Sequence, residues 1–307
     1  MTPAASAFES PLCLPLNTAL VAALARMTQA IGSADWFDAV LNLLGTVCAV
    51  DSGGAMVYHR EQRPRRILHR FDPSERALPE DAYLSGPYVL DPHYQLFAAG
   101  GPNGVHRLTD IAPDDFFQSE YYRVFYSQIG LSDSIELLWR IDADSALNIF
   151  IERSIRHPKF QDADMVAINT LLPVIFASAA RHHELTAAAS RRDTDNLTHR
   201  KVQSTIENFA SSLLTQRERQ VLFYMISGYS SALTAQRLHT SEGTIKIHRK
   251  NIYRKLDIGS QAELFSLFIN CIPFAMPEAG VDPLQTYQTA PGAARTLSMV
   301  EVAPLRA

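Results

Sequence analysis

The stretch SEGTIKIHRKNIYRKLDIGS, Ser241–Ser260, holds three of the chain's five lysines, Lys246, Lys250 and Lys255. Arg249 and Arg254 stand beside them, in a chain whose net charge is −4. At about 100° per residue, a helix through this stretch sorts its side chains onto two faces. Ile245, Ile252 and Leu256 fall in one narrow stripe. Gly243, Lys246, Ile247, Lys250 and Arg254 fall opposite. Ser241 is a natural N-cap. Most charge runs are solvated surface. Here the cationic face carries almost no acids to pair with, and an isoleucine sits among the lysines.

Working outward, TQRERQVLFYMISGY predicts a helix with Val221, Leu222, Met225 and Ile226 inward, stopped by Gly228. SSALTAQRLHT predicts a short second helix with Leu233 and Leu238 packing inward, and a tight connection then leads into the basic helix. Helix, turn and helix with a basic second face is the helix-turn-helix arrangement, which enters DNA grooves. QAELFSLFIN predicts a fourth helix. Its apolar face, Leu264, Leu267 and Phe268, is read as a dimerisation surface. From Thr215 to Asp257 there are eight Lys/Arg against three Asp/Glu. A basic module joined to an acidic body points to nucleic acid as a partner.

Leu214–Phe268 resembles the LuxR-type DNA-binding domain. The resemblance rests on LTQRE (Leu214, Thr215, Arg217, Glu218), Val221, Leu222, Gly228, Ala235 and Leu238. It continues through SEGTIKIH, Asn251, Ile252, Lys255, Leu256, Ala262 and Glu263. It implies that Lys246, Ile247 and Lys250 lie near base edges and Thr244, Asn251 and Arg254 near phosphates. It also implies that Ile245, Ile252 and Leu256 are core. Two positions depart from the family pattern: Thr234 replaces the usual isoleucine, and Gln261 stands where arginine is common.

Asn17 to about Leu185 alternates helical patterns with five strand-like runs. GGAMVYHR and RRILHRF form one hairpin, SDSIELLWRID and ALNIFIERS another, and GVHRLTDI reads as a short strand. APDDFFQSEYYRVFYSQIG reads as one helix, and Pro173 should kink the helix through FQDADMVAINTLLPVIFASAARHHEL or remove one of its hydrogen bonds. The expected class is α+β: an α-β-α sensory domain with an antiparallel sheet (17–188), a polar, partly helical linker (189–211), an all-α four-helix domain (212–270) and a flexible Pro/Ala-rich tail (271–307).

The order of elements in the larger domain resembles GAF and autoinducer-binding sensory domains. DPHY, with Asp91 and Pro92, resembles the Asp-Pro pair beside the pocket of acyl-homoserine-lactone receptors, and IGLSDSIELL resembles their turn into a strand. Leu78 and Ala82 stand where those receptors carry aromatics. The candidate ligand site is aromatic: Tyr83, Tyr88, Tyr94, Phe117, Tyr121, Tyr122, Phe125 and Trp139. Asp91, Ser134 and Glu136 serve as polar handles. For each aromatic the plainer alternative is core packing; for Asp91 it is a helix cap, and for Glu136 an exposed strand position.

Other function classes find little support. Cys13, Cys48 and Cys271 lack metal or redox spacing and read as reduced thiols. RHHEL lacks the spacing of a zinc-protease helix, and there is no Walker loop, Gly-x-Ser-x-Gly elbow or receiver-type acidic pocket. The expectation is a cytoplasmic homodimeric regulator, with no cofactor, metal, membrane partner or enzymatic activity. Its partners are duplex DNA and a small effector. One alternative is a regulator whose N-terminal domain only dimerises or binds a protein. A less favoured one is an enzyme fused to a DNA-binding module.

Overall fold

The computed structural model describes residues 17–70, 80–186, 196–277 and 280–290. Asn17 caps α1 (Thr18–Gln29) by accepting from the Leu20 amide at 2.9 Å, and α2 (Trp36–Leu44) follows. Then come β1 (Ser52–His59), β2 (Arg65–Arg70), α3 (Glu80–Leu84), α4 (Pro92–Ala98), β3 (Gly104–Arg107), α5 (Leu108–Ile111) and α6 (Glu120–Phe125). A long hairpin, β4 (Leu131–Arg140) and β5 (Ser145–Ser154), leads into α7 (Asp162–Thr186). The five strands pair antiparallel in the order β2-β1-β5-β4-β3.

Strand periodicity divides the core in two. On one face Ala55, Ile135, Leu137, Ile149 and Ile151 pack with buried residues of α1, α2 and α7, including Trp36 and Ile175. On the other, Met56, Tyr58, Leu138 and Phe150 meet the aromatic side chains of α4 and α6. By length and composition α7 could cross a membrane, and here it lays Ile168, Leu171, Ile175 and Ala179 on the sheet. Pro173 lies inside α7, which runs on through it as one helix.

Three expectations need correction. First, GVHRLTDI is not all strand: after Arg107 it turns into α5. Second, residues 113–130 are not one helix. A 3-10 turn (Phe116–Gln118) precedes α6, because Ser119 takes extended backbone and caps the Tyr122 amide at 3.1 Å. As the partly helical reading of the linker expects, residues from 196 onward form helix α8 (Asn196–Asn208). Val202 is buried and the His199 ring meets the Tyr88 hydroxyl at 3.0 Å.

The remaining helices are α9 (Gln216–Ile226), α10 (Ser231–Arg237), α11 (Glu242–Leu256) and α12 (Gln261–Cys271). Thr215, Ser230, Ser241 and Ser260 each cap the helix that follows, so the sequence itself spells out these starts. The third correction concerns the tail: Pro283–Thr289 forms α13, burying Leu284 and Tyr287. The buried Asp282 carboxylate secures it, accepting from Ala210 N (2.8 Å), Leu284 N (2.9 Å), Ser212 N (3.0 Å) and Ser212 Oγ (2.6 Å). Cys13, Leu78, linker positions 189–195 and tail positions 291–307 lie outside the described residues.

Candidate nucleic-acid interface and ligand site

α11 presents the two faces its spacing predicts. Ile245, Ile252 and Leu256 are buried, while Lys246, Lys250 and Arg254 are exposed and Ile247 is 63% exposed. Thr244 and Asn251 are half-buried at the edge. The helix is pinned from beneath by Lys255, whose ammonium lies 2.7 Å from the buried Glu218 carboxylate of α9. Burial alone would raise the Glu218 carboxyl. Hydrogen bonds from Lys255 and Thr215 outweigh burial and hold it below the ordinary range. Glu218 also closes the capping box with Thr215.

The face carries one acid, in keeping with the expectation of almost none. Glu242, one turn earlier, pairs with Lys246 at 2.6 Å, an exposed pair worth little in water. Arg254 donates to Asn251 Oδ1 at 3.2 Å, and Lys250 has no partner among the described residues. An exposed aliphatic among long-stemmed cations suits a groove where a thymine methyl lies between phosphates.

The expected dimerisation face is covered. Leu264 and Phe268 are fully buried within the chain and Leu267 is half-buried. The Phe209 ring, just after α8, stands 5.5 Å from that of Phe268, and α13 and α6 pack on α12. In this arrangement the face cannot pair with a second copy.

The N-terminal domain also grips the turn between α9 and α10. Asp115 N donates to Gly228 O at 3.1 Å, Ser230 N to Asp114 Oδ1 at 3.0 Å, and Gln95 Nε2 to Ser227 Oγ at 3.2 Å. Ser230 Oγ donates to the second Asp114 oxygen. Gly228 is required here: its φ is +84°, and a Cβ would stand 2.9 Å from Phe116 Cα.

Within the N-terminal domain, Asp91 takes its helix-cap reading and also binds two tyrosines. It caps α4, with Oδ1 accepting from His93 N at 2.8 Å. Its Oδ2 accepts from Tyr83 at 3.3 Å and Tyr121 at 3.2 Å. Glu136 does not face solvent: it is buried, and Oε2 accepts from Tyr58 at 3.3 Å. Asn148 donates to the same Tyr58 oxygen at 2.9 Å. Burial pushes the Glu136 carboxyl up to about 8. Burial lowers His93, but the Glu136 and Asp91 carboxylates outweigh it and push the imidazole up to about 9.

Tyr88, Tyr94 and Phe125 join this cluster, with ring centroids of Tyr88 and Tyr94 4.9 Å apart and of Tyr121 and Phe125 5.0 Å apart. Ser134 is buried on the same face of the sheet as Glu136. Three other predicted residues do not line it. Trp139 differs in parity from Ser134 and Glu136, so it points to the opposite face and packs near His183, 6.1 Å away. Phe117 and Tyr122 lie in the outer layer, 5.1 Å apart, with the Lys159 ammonium 3.9 Å over Phe117 and the Tyr122 hydroxyl on Ser132 O. Tyr58, His93, Phe97, Tyr126 and Asn148 were missed. Strand parity signals Tyr58, and position in DPHY signals His93; the others are brought in by tertiary packing alone.

Cys48 and Cys271 are buried free thiols, each pushed up to about 12 by burial, which keeps them unreactive.

Residues 212–268 match the luxR family of bacterial regulatory proteins. An HTH-type transcriptional regulator in the exeN 3′ region of Aeromonas salmonicida is 27% identical over 184 residues, 59% of this chain and 93% of that protein. The response regulator TodT of Pseudomonas putida is 42% identical over 64 residues, 21% of this chain. The present chain spans only 27% of TodT's length. The VqsR LBD domain of Pseudomonas aeruginosa superposes with a TM-score of 0.49 at 20% identity, covering 55% of this chain and 99% of that domain. The capped four-helix arrangement, the basic face of α11 and the match over 212–268 agree: the C-terminal domain of this chain belongs to the LuxR family of bacterial regulatory proteins.

Proposed function

We propose that this protein is a ligand-responsive transcription regulator that places α11 in the major groove of duplex DNA. The observation that carries the reading is Ile247 standing exposed between Lys246, Lys250 and Arg254, on a helix whose other face is buried. Lys246, Ile247 and Lys250 meet base edges; Thr244, Asn251 and Arg254 meet phosphates. The protein acts by binding rather than catalysis, in the cytoplasm. A small molecule is sensed at the aromatic site around Asp91. Effector binding favours release of α12 and of the α9–α10 turn, and the freed Leu264, Leu267 and Phe268 face then forms a homodimer on DNA.

Changing both Lys246 and Lys250 to alanine tests the interface. Affinity for the operator should fall. Discrimination at the bases they meet should relax, and Arg254→Ala, at a phosphate, should flatten the slope of log K against log salt by about 0.9. Unchanged affinity and slope would remove α11 from the interface. A second reading has the N-terminal domain serving dimerisation or a protein partner without a small ligand. The ring-to-ring packing of Tyr58, Tyr94, Tyr88 and Tyr83 favours it, since a closed core needs no guest. Thermal-shift screening of metabolites separates the two: a stabilising hit abolished by Asp91→Ala supports sensing, and silence across a broad library supports the second reading.

A further inference from the structure

Three buried groups outside the DNA-binding machinery meet at one point. Asp91, His93 and Glu136 each offer one ligand atom, all within 4.8 Å of one another. His93 Nδ1 lies 3.4 Å from Asp91 Oδ1 and 3.3 Å from Glu136 Oε1. We infer that Asp91, His93 and Glu136 form a binding site for one divalent transition-metal cation. The site follows from this geometry and does not require the small-molecule reading of the same domain.

The remaining polar atoms of these groups are already engaged. Tyr83 and Tyr121 take Asp91 Oδ2, and Tyr58 takes Glu136 Oε2. The His93 Nε2 position faces the His106 carbonyl at 3.3 Å. A bound cation would displace the Nδ1 proton, and that approach keeps the remaining proton on Nε2, giving Nδ1 the lone pair a ligand needs. Each side chain thus has one atom held from behind and one turned inward; the inward Asp91 Oδ1 also caps the His93 amide at 2.8 Å and keeps a second lone pair for a cation. This is the outer shell that metal ligands characteristically have: a carbonyl behind the imidazole and hydrogen bonds behind each carboxylate.

A simple ion pair is less well served. His93 is 2% exposed, and Nδ1 makes no hydrogen bond among the described residues, although both carboxylates are near. An imidazolium would aim its proton at one of them. Three inward acceptors instead share a space whose edges of 3.3 and 3.4 Å suit a cation. Ligand bonds of about 2.0–2.1 Å in tetrahedral geometry separate donors by about 3.3 Å. One nitrogen and two carboxylate oxygens suit Zn2+ or Mn2+. Three protein ligands leave a fourth position for a water or an oxygen donor of an incoming molecule.

The test uses the full-length protein, stripped with chelator, dialysed and titrated with Zn2+ against a chromogenic competitor. Bound metal is counted by elemental mass spectrometry. One equivalent per chain is expected. Glu136→Gln and His93→Gln should each weaken binding by more than about 100-fold, and Tyr121→Phe, acting behind Asp91, by about 10-fold. Circular dichroism and melting curves report whether each variant folds; the near-isosteric Glu136→Gln and Tyr121→Phe decide the matter if His93→Gln does not. Absence of binding in the unaltered chain, with Mn2+ as well as Zn2+, would overturn the inference and leave the cluster holding a shared proton. So would equal binding by folded Glu136→Gln, which would place the metal elsewhere. A metabolite screen that fails leaves this result standing, and a metal titration that fails leaves the sensing reading standing.

Discussion

The basic helix and the aromatic site of this protein are built by opposite rules. α11 is local: its faces follow from fifteen consecutive residues, and its functional side chains are those the fold does not bury. The site around Asp91 is non-local. It gathers Tyr58 from β1, Asp91 and His93 from the start of α4, Tyr121 from α6 and Glu136 from β4, all buried. Exposed residues are free to serve a partner without holding the fold together. Buried ones serve both ends at once, so changes there should register in stability as well as in binding.

Substitutions can break or sharpen this contrast, beginning with the largest expected effect. Phe268→Ala should cost about 3–5 kcal/mol of stability in urea unfolding, because the ring is buried against Phe209 within one chain. A cost below about 1 kcal/mol would mean that α12 is uncovered in solution. Glu218→Gln should cost about 2–3 kcal/mol, since Lys255 loses its buried partner beneath α11. Its pH signature is specific. The folded-state Glu218 carboxyl lies below its ordinary value, so its contribution is full above the unfolded pKa and is lost as pH falls through the folded one. The variant should therefore show a flatter acid limb of stability against pH, and an identical limb would contradict the clamp.

Ile247→Ala should leave stability within about 0.5 kcal/mol while reducing discrimination at one base position by about 1 kcal/mol, read by competition binding with single-base operator variants. Loss of stability instead would move Ile247 into the core. Thr234→Val should stabilise by about 1 kcal/mol: Thr234 is 1% exposed and its hydroxyl has no partner among the described residues. A thermal melt that falls would show that the hydroxyl is paired after all.

How far each region could be read from sequence follows the same contrast. The four caps Thr215, Ser230, Ser241 and Ser260, and the stripe Ile245, Ile252 and Leu256, are local signals, and the structure keeps them. The five strands were visible as alternating runs, although α5 took over from β3 where Leu108 turns into the core. At the candidate ligand site, Tyr83, Asp91, Tyr121 and Glu136 come together as read. Trp139 does not, because parity on a strand decides the face and outweighs aromatic character. Tyr58 and Asn148 were hidden because they become neighbours of Glu136 only through the pairing of β1, β5 and β4.

The tail shows where local reading fails. Proline and alanine suggested flexibility, yet Asp282, Leu284 and Tyr287 find partners some seventy residues back in the chain or on α12, and one buried carboxylate collects four donors. Sequence by itself determined the helices of the LuxR domain, the basic face of α11 and the sheet's strands, since capping and hydrophobic period act between residues a few positions apart. Only the tertiary structure decided that α12 is covered, that the N-terminal domain holds Gly228 and Ser230, and that Asp91, His93 and Glu136 share one buried point. Those outcomes depend on which distant surfaces exclude water together, and no short window of sequence contains that information.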